Sequence, residues 1–159
     1  MDQSKREHGA LLAESALTIG ILFLLLFAIM DLGRAYNIYQ ALTDAAREGA
    51  RYSVAPDPSA AYAVPSATQI QSDVQQFMAA DHIHGTTVNV FCLYASGTPA
   101  PNTDICPQGA TQAADPTLQI DGNLNPVYTK VQVTLPYRFM LLPFTVNMSS
   151  KAVMRNEDN

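Results

Sequence analysis

Leu11 to Met30 reads LLAESALTIGILFLLLFAIM, and Glu14 is the only charge within it. A helix rises about 1.5 Å per residue, so this stretch reaches roughly 30 Å, the thickness of a bilayer's hydrocarbon core. The competing reading is a buried helix of a globular domain, but a domain of this size packs its helices on one side and leaves the other polar. From Ile19 to Met30, Leu, Ile and Phe run around the whole circumference and leave no polar face. The stretch therefore predicts a transmembrane helix. Met1 to His8 is short and polar and carries Lys5 and Arg6, a charge bias that favours a cytoplasmic N-terminus. Everything after Asp31 then lies on the far side of the membrane. A cleaved secretory signal is the nearest competitor, but its apolar region is about 7–15 residues long and ends in a small-x-small site. This run is longer and ends Ile29-Met30-Asp31-Leu32.

Helical patterning continues past the apolar run. Residues 31–54 read DLGRAYNIYQALTDAAREGARYSV, and Leu32, Tyr36, Tyr39, Leu42, Ala46 and Ala50 recur at three- and four-residue steps. Arg34, Gln40, Asp44, Arg47, Glu48 and Arg51 form the polar complement. Asp44 and Glu48 stand at helical spacing from Arg47 and Arg51, where each pair adds a few tenths of a kcal/mol. Pro56 and Pro58 stop the pattern. One helix from about Ala10 to Val54 is expected, on the order of 65 Å long. An apolar stripe that leaves the membrane must be covered by the chain's own domain or by a neighbouring subunit.

Glu14 is the informative residue. A carboxylate inside an apolar membrane helix costs a few kcal/mol to insert, so it is a functional candidate by default. At the membrane edge the cost is smaller, and the spacing then decides. Gly9 precedes Ala10, and Glu14 is the fifth residue counting from Ala10. A basic leader, a Gly, four residues, a Glu and a long apolar helix together form the type IV prepilin pattern. REHGALLAESALTIGILFLLLFAIMDLGRAY, followed by ALTDAAREGARYSV, resembles the TadE-like family, pilin-like proteins of tight-adherence (Flp) pilus systems. The resemblance covers residues 6–55 and returns weakly in SSKAVMRNE near the C-terminus.

The resemblance implies cleavage between Gly9 and Ala10 by a prepilin peptidase on the cytoplasmic side. It implies other pilin-like subunits and inner-membrane pilus assembly proteins as partners, beside the lipid bilayer, and an assembly role for Glu14. The physical logic is consistent. Cleavage creates an amine on Ala10, and in an apolar bundle that cation and a neighbour's Glu14 carboxylate neutralise each other. The larger type IV pilins usually carry Phe after the cleavage site, whereas this chain has Ala10, which leaves N-methylation of the new terminus open. Gly33 at the membrane exit, like Gly20, is either a close-packing point between helices or a residue simply tolerated there.

The remainder reads as a small exported α+β domain. APDPSAAYAVP, residues 55–65, has linker chemistry. Ser66 to Asp81 predicts a second helix with a Ser66/Gln69 capping box and a stripe of Ile70, Val74, Phe77 and Met78, ended by Gly85. Thr86 to Tyr94, Val127 to Phe139 and Phe144 to Met154 alternate as strands. The inward sets are Val88, Val90, Cys92 and Tyr94; Val131, Val133, Leu135 and Tyr137; and Phe144, Val146, Met148 and Ala152. Ala95 to Asn125 reads mostly as loop. FMLLPF, residues 139–144, is either a buried turn or a contact surface, and most apolar runs are core. The expected architecture is thus a long N-terminal transmembrane and amphipathic helix, then a headgroup of one helix and about three antiparallel strands. Its segments are a leader (1–9), a helix (10–54, transmembrane over 11–30) and an exported domain (55–159).

Cys92 and Cys106 flank a polar loop. In an exported domain this spacing suggests a disulfide, whose loop of about 15 residues would stabilise by roughly 3 kcal/mol. The alternative is two independent thiols. A net charge of −5 offers no basic surface for nucleic acid. Beyond Pro56 eight acidic side chains face four basic ones, so the acidity belongs to the exported part and serves solubility. His82 and His84 sit just past a helix end without the further ligands a metal site requires. No catalytic constellation, phosphate loop or cofactor motif stands out. The reading that follows is structural, a minor pilin or pseudopilin that is not an enzyme. A signal-anchored periplasmic binding or scaffold module outside any pilus is the rival, and an anchored enzyme would need a catalytic set that the sequence does not offer.

Overall fold

The computed structural model describes residues 3–55, 64–95, 105–118, 127–141 and 144–156, with side chains from residue 11 onward. Helix α1 (Gln3–Ser53) is followed by α2 (Ala67–Ala80) and strands β1 (Thr87–Ala95), β2 (Thr111–Asp115), β3 (Tyr128–Arg138) and β4 (Thr145–Arg155). The fold is α+β, as expected, with four strands instead of three. The sheet order is β2-β1-β3-β4, antiparallel except for β1 and β2, which run parallel. The linker read at 55–65 lies largely outside the described residues.

Helix α1 is continuous over 51 residues, about 75 Å at helical rise. It begins at Gln3, so Gly9 and Ala10 lie within the helix and not at its start. Its two halves differ in what surrounds them. Thirteen large apolar side chains between Leu11 and Met30 are 48–72% exposed. Left in water they would forfeit on the order of 20 kcal/mol of burial energy, more than the whole stability of a typical domain. Among the described residues this is the one helix long and apolar enough to cross a membrane; its most apolar window has a mean hydropathy of 2.4 and is 6% buried.

The second half of α1 forms one wall of the headgroup core. Leu42, Ala45, Ala46 and Ala50 pack with Ile70, Val74 and Met78 of α2, Val88 and Val90 of β1, and Val131, Val133 and Leu135 of β3. The small side chains set the spacing. A Cβ on Gly49 would fall onto the Val74 Cγ2 methyl and stand 3.2 Å from Val131 Cγ1, so α1 approaches both α2 and β3 closely there. Polar cross-links fix the layers. The Gln71 side chain donates to the Val88 carbonyl at 3.1 Å, and Ser150 Oγ lies 3.2 Å from Thr43 Oγ1.

The buried stripe of α1 differs from the expected one. Leu42, Ala46 and Ala50 are buried, but Leu32, Tyr36 and Tyr39 are exposed by 63, 62 and 47%. Asp31, Ala35, Ile38 and Ala45 take the inward positions instead. The sheet sits too close for a Tyr, so the face with the smallest side chains turns inward and the aromatic one is left outside. The expected surface pairs form on the polar face, Arg51 to Glu48 at 2.9 Å and Arg47 to Asp44 at 3.9 Å, both exposed.

Ser66 caps α2 with the expected box, its side chain accepting from the Gln69 N–H while the Gln69 side chain accepts from the Ser66 N–H at 2.7 Å. Ile70, Val74 and Met78 are buried, whereas Phe77, expected in the same stripe, is 38% exposed. The helix ends before Gly85. His82, at φ 59°, takes the left-handed position, and the His82 and Ile83 N–H groups close on the Ala79 and Met78 carbonyls. This is the Schellman arrangement, formed here without glycine.

β3 alternates as predicted, with Val131, Val133, Leu135 and Tyr137 buried, and β1 does so through Val88, Val90 and Cys92; beyond Cys92 the pattern breaks, Leu93 and Ala95 being buried and Tyr94 half-buried. Pro136 lies beyond the last β1–β3 pair, Thr87–Thr134, where β3 is an edge on that side and a missing N–H is tolerated. β4 departs from its expected pattern at its N-terminal end. Met148 and Ala152 are half-buried against the core, but Phe144 and Val146 are 47 and 41% exposed. β2 lies within the stretch read as loop. TQAAD lacks an apolar alternation because, as a short edge strand pairing from Phe91–Thr111 to Ala95–Asp115, it buries neither face.

Candidate functional site: the anchor helix and its collar

The residues assigned by the prepilin pattern share one helix. Gly9, Ala10 and Glu14 lie within α1, and the Glu14 side chain is exposed on its surface. Thr18 Oγ1 donates to the Glu14 carbonyl at 2.9 Å, so the hydroxyl in the apolar run is satisfied within its own helix. Neither ion pair found among the described residues involves Glu14. Gly20 and Gly33 have nothing within 4 Å of an added Cβ, so the chain itself leaves both points open.

At the other end of the apolar run α1 is gripped by a collar that sequence reading missed. Asp31, one residue past Met30, is buried. Its Oδ1 accepts the Tyr137 hydroxyl at 2.9 Å, and its Oδ2 accepts the N–H groups of Met140 at 2.8 Å and Leu141 at 3.4 Å. Burial pushes the Asp31 carboxyl up, but the donated bonds from Met140, Tyr137 and Leu141, with the Arg34 guanidinium, outweigh it and hold the group below its ordinary value. The same pairing and burial raise the Tyr137 hydroxyl. The loop after β3 is thus tied by its backbone to the first residue beyond the apolar run. An acid directly after an apolar run was the available signal, but its partners stand more than a hundred residues away.

The collar is rimmed by rings and apolar side chains. Phe139 meets Tyr137 edge-on at 5.0 Å and Phe144 at 5.3 Å. Met140, Leu141 and Phe144 are 78, 43 and 47% exposed, which corrects the expectation that FMLLPF is a buried turn. The Asp31 bonds hold the loop at the end of the sheet, beyond the core. Leu142 and Pro143 lie outside the described residues.

At the distal end Cys92 and Cys106 are joined in a disulfide, with Cα atoms 5.8 Å apart, and pack with Val127. The loop beyond Cys106 caps α2, the Ala67 N–H donating to the Gln108 carbonyl at 2.9 Å. Asn156 closes the structure. Its Nδ2 donates to the Ile105 carbonyl at 2.6 Å and its Oδ1 accepts from Thr129 Oγ1 at 2.9 Å. His82 and His84 are exposed, and among the described residues no three His, Cys, Asp or Glu side chains gather into a set that could hold a metal ion.

No curated protein and no solved structure matches the chain. The region that does match is the helix bearing the prepilin pattern, its exit at Asp31 and the close approach at Gly49, while the headgroup beyond α1 lies outside the match. Residues 9–51 fit the model of the family described as TadE-like protein, the family this segment resembles.

Proposed function

We propose that this chain is a minor pilin or pseudopilin of a Tad/Flp-type pilus assembly system, with a structural and not an enzymatic role in pilus biogenesis and adhesion. Its leader, residues 1–9, is removed by a prepilin peptidase after Gly9. Residues 10–54 anchor it in the bacterial inner membrane with the N-terminus cytoplasmic, and residues 55–159 form the exported domain. The observation that carries this reading is the character of α1. One uninterrupted helix joins the Gly9–Glu14 pattern to an apolar run that the described residues leave almost wholly exposed, and then to a headgroup that covers only its small-residue face.

The uncovered face has the properties a neighbouring subunit's helix would use. Ile29, Leu32, Tyr36 and Tyr39 follow one another at three- and four-residue steps and are all exposed, and Gly33 beside them is open. Small residues let membrane helices approach, and aromatic side chains supply contact area at the water boundary. Deeper in the membrane, the new Ala10 amine of one subunit meets the Glu14 carboxylate of the next. Either charge alone in hydrocarbon is expensive, so the pair favours one axial register, with the two helices offset by about four residues, or 6 Å.

The test is the N-terminus of the protein extracted from the membranes of its native host, read by Edman sequencing and intact mass. A start at Ala10 supports processing as a prepilin. A start at Met1 in cells with an active prepilin peptidase overturns it and leaves a signal-anchored periplasmic module.

A further inference from the structure

We infer that the β3–β4 loop is a second membrane contact, its apolar tip seated in the leaflet from which α1 emerges. The inference rests on α1 spanning the membrane, and on three observations at its exit.

The first is depth. The Met140 N–H lies 2.8 Å from the carboxylate of Asp31, and Asp31 is one residue beyond Met30. Phe27 and Met30 of the apolar run line one cleft with Met140 and Leu141. A lipid-facing Phe27 therefore brings these loop side chains to the boundary of the hydrocarbon.

The second is chemistry. Met140, Leu141 and Phe144 are all exposed, and Met140, at 78%, is the most exposed large apolar side chain among the described residues. Each such side chain gains about 1.5–3 kcal/mol on leaving water. Arg34 lies one helical turn beyond Asp31 on the same cleft, at the level of lipid phosphates. An apolar tip backed by a cation is the composition of an interfacial membrane contact.

The third is the state of the backbone. A loop can enter the interface only if its polar groups are satisfied by the protein. Asp31 accepts the N–H groups of Met140 and Leu141, and the Tyr137 hydroxyl occupies its other oxygen. The bonds that grip the helix thus also satisfy two donors at the apolar tip that lipid would leave bare. The headgroup then meets the membrane at two places, α1 and the loop, which restricts its tilt before any partner subunit arrives.

The chain contains no Trp, so a single introduced indole reports its own surroundings. Full-length Met140→Trp, Leu24→Trp and Gln108→Trp variants are reconstituted at low protein density in phosphatidylcholine vesicles, with and without bromine on the acyl chains. Leu24 lies mid-span, and Gln108 lies at the far end of α2 from the membrane. The expected result is blue-shifted emission and bromine quenching for Met140→Trp, weaker than for Leu24→Trp and clearly above Gln108→Trp. Phe144→Trp should follow Met140→Trp, which guards against a local distortion at one site. Quenching of Leu24→Trp with water-like, unquenched emission from Met140→Trp and Phe144→Trp overturns the loop contact and leaves the anchor intact. Blue-shifted emission insensitive to bromine means that protein, not lipid, covers the loop, and also overturns it. No quenching of Leu24→Trp removes the membrane-spanning helix, and the inference falls with it.

Discussion

The carboxylate of Asp31 accepts the Tyr137 hydroxyl at 2.9 Å, joining the end of the apolar run of α1 to the inner face of β3 across more than a hundred residues of chain. Tyr137→Phe keeps the ring and its edge contact with Phe139 while removing this bond. A net hydrogen bond contributes about 1 kcal/mol, so the headgroup should lose about that much stability, with Tm lower by a few degrees. Thermal unfolding in detergent, followed by near-ultraviolet circular dichroism, measures it. Asp31→Ala should lower Tm further, because it also strips the acceptor from the Met140 and Leu141 N–H groups. Unchanged Tm in both variants would mean that the collar holds nothing.

The same carboxylate predicts acid sensitivity. Asp31 titrates below its ordinary value of 3.8 in the folded protein, and so does Asp115, held down by the Thr117 hydroxyl and N–H. A depressed acid contributes stability that is fully present above the unfolded value and is lost as pH falls through the folded one. Stability should therefore be flat near neutrality and decline below about pH 4. In Asp31→Asn the acid-side slope should be shallower, with the Asp115 share remaining. Denaturant midpoints measured across that range decide, and identical slopes in the two proteins would remove Asp31 from the account.

Gly49 separates packing from helix propensity. Alanine in a helix interior is worth about 1 kcal/mol over glycine. Here its methyl would meet Val74 and Val131, both buried and both stiff at χ1. Overpacking a dense core costs about 1–3 kcal/mol, so Gly49→Ala should be destabilised on balance. Gly33→Ala, with open space around it, should be neutral or slightly stabilised in the monomer. Equal effects of the two substitutions on the denaturant midpoint would show that α1 does not approach the sheet as closely as the geometry requires.

These contrasts also explain what the sequence could reveal. The apolar run, the capping box at Ser66 and Gln69, and the alternation in β3 and the first part of β1 are local signals, each read within about twenty residues or fewer. The inward face of α1 is a relational property. Leu32, Tyr36 and Tyr39 form the stronger hydrophobic stripe, but the sheet selects Ala35, Ala45, Ala46 and Gly49 because only small side chains fit beneath it. Asp31 offers the same lesson for the site. Its position after Met30 marked the end of a span, while its partners are fixed by the β3 register and could not be found by spacing. The role proposed for Glu14 rests on its distance from Gly9 alone and asks nothing of the headgroup's fold.

Asn156 should behave as a structural residue despite standing near the C-terminus. Its side chain bonds Thr129 on β3 and the Ile105 carbonyl beside the disulfide, and its own N–H donates to the Val127 carbonyl at 2.8 Å. Asn156→Ala removes both side-chain bonds and leaves the buried Thr129 hydroxyl without its acceptor, a loss of about 2 kcal/mol. The distal end should loosen first. Hydrogen exchange should rise at Val127 and Thr129, with the α1–α2 core unchanged, and a uniform rise would place the residue in the global fold instead.

Glu14→Ala tests the assembly role apart from the fold. The side chain is exposed and no bond to it is seen, so the headgroup should unfold at the wild-type temperature and the protein should still insert. Under the proposed pairing, removing the carboxylate leaves the Ala10 amine of a neighbour unneutralised in the bundle, and pili should be lost or sharply reduced in the native host. Tyr36→Glu attacks the same assembly from the outer stripe, placing a charge where a neighbouring helix is proposed to pack. If Glu14→Ala cells make normal pili while Tyr36→Glu cells do not, subunits pack through the stripe and the carboxylate has no part in setting their register. Normal piliation in both would remove α1 as the assembly surface.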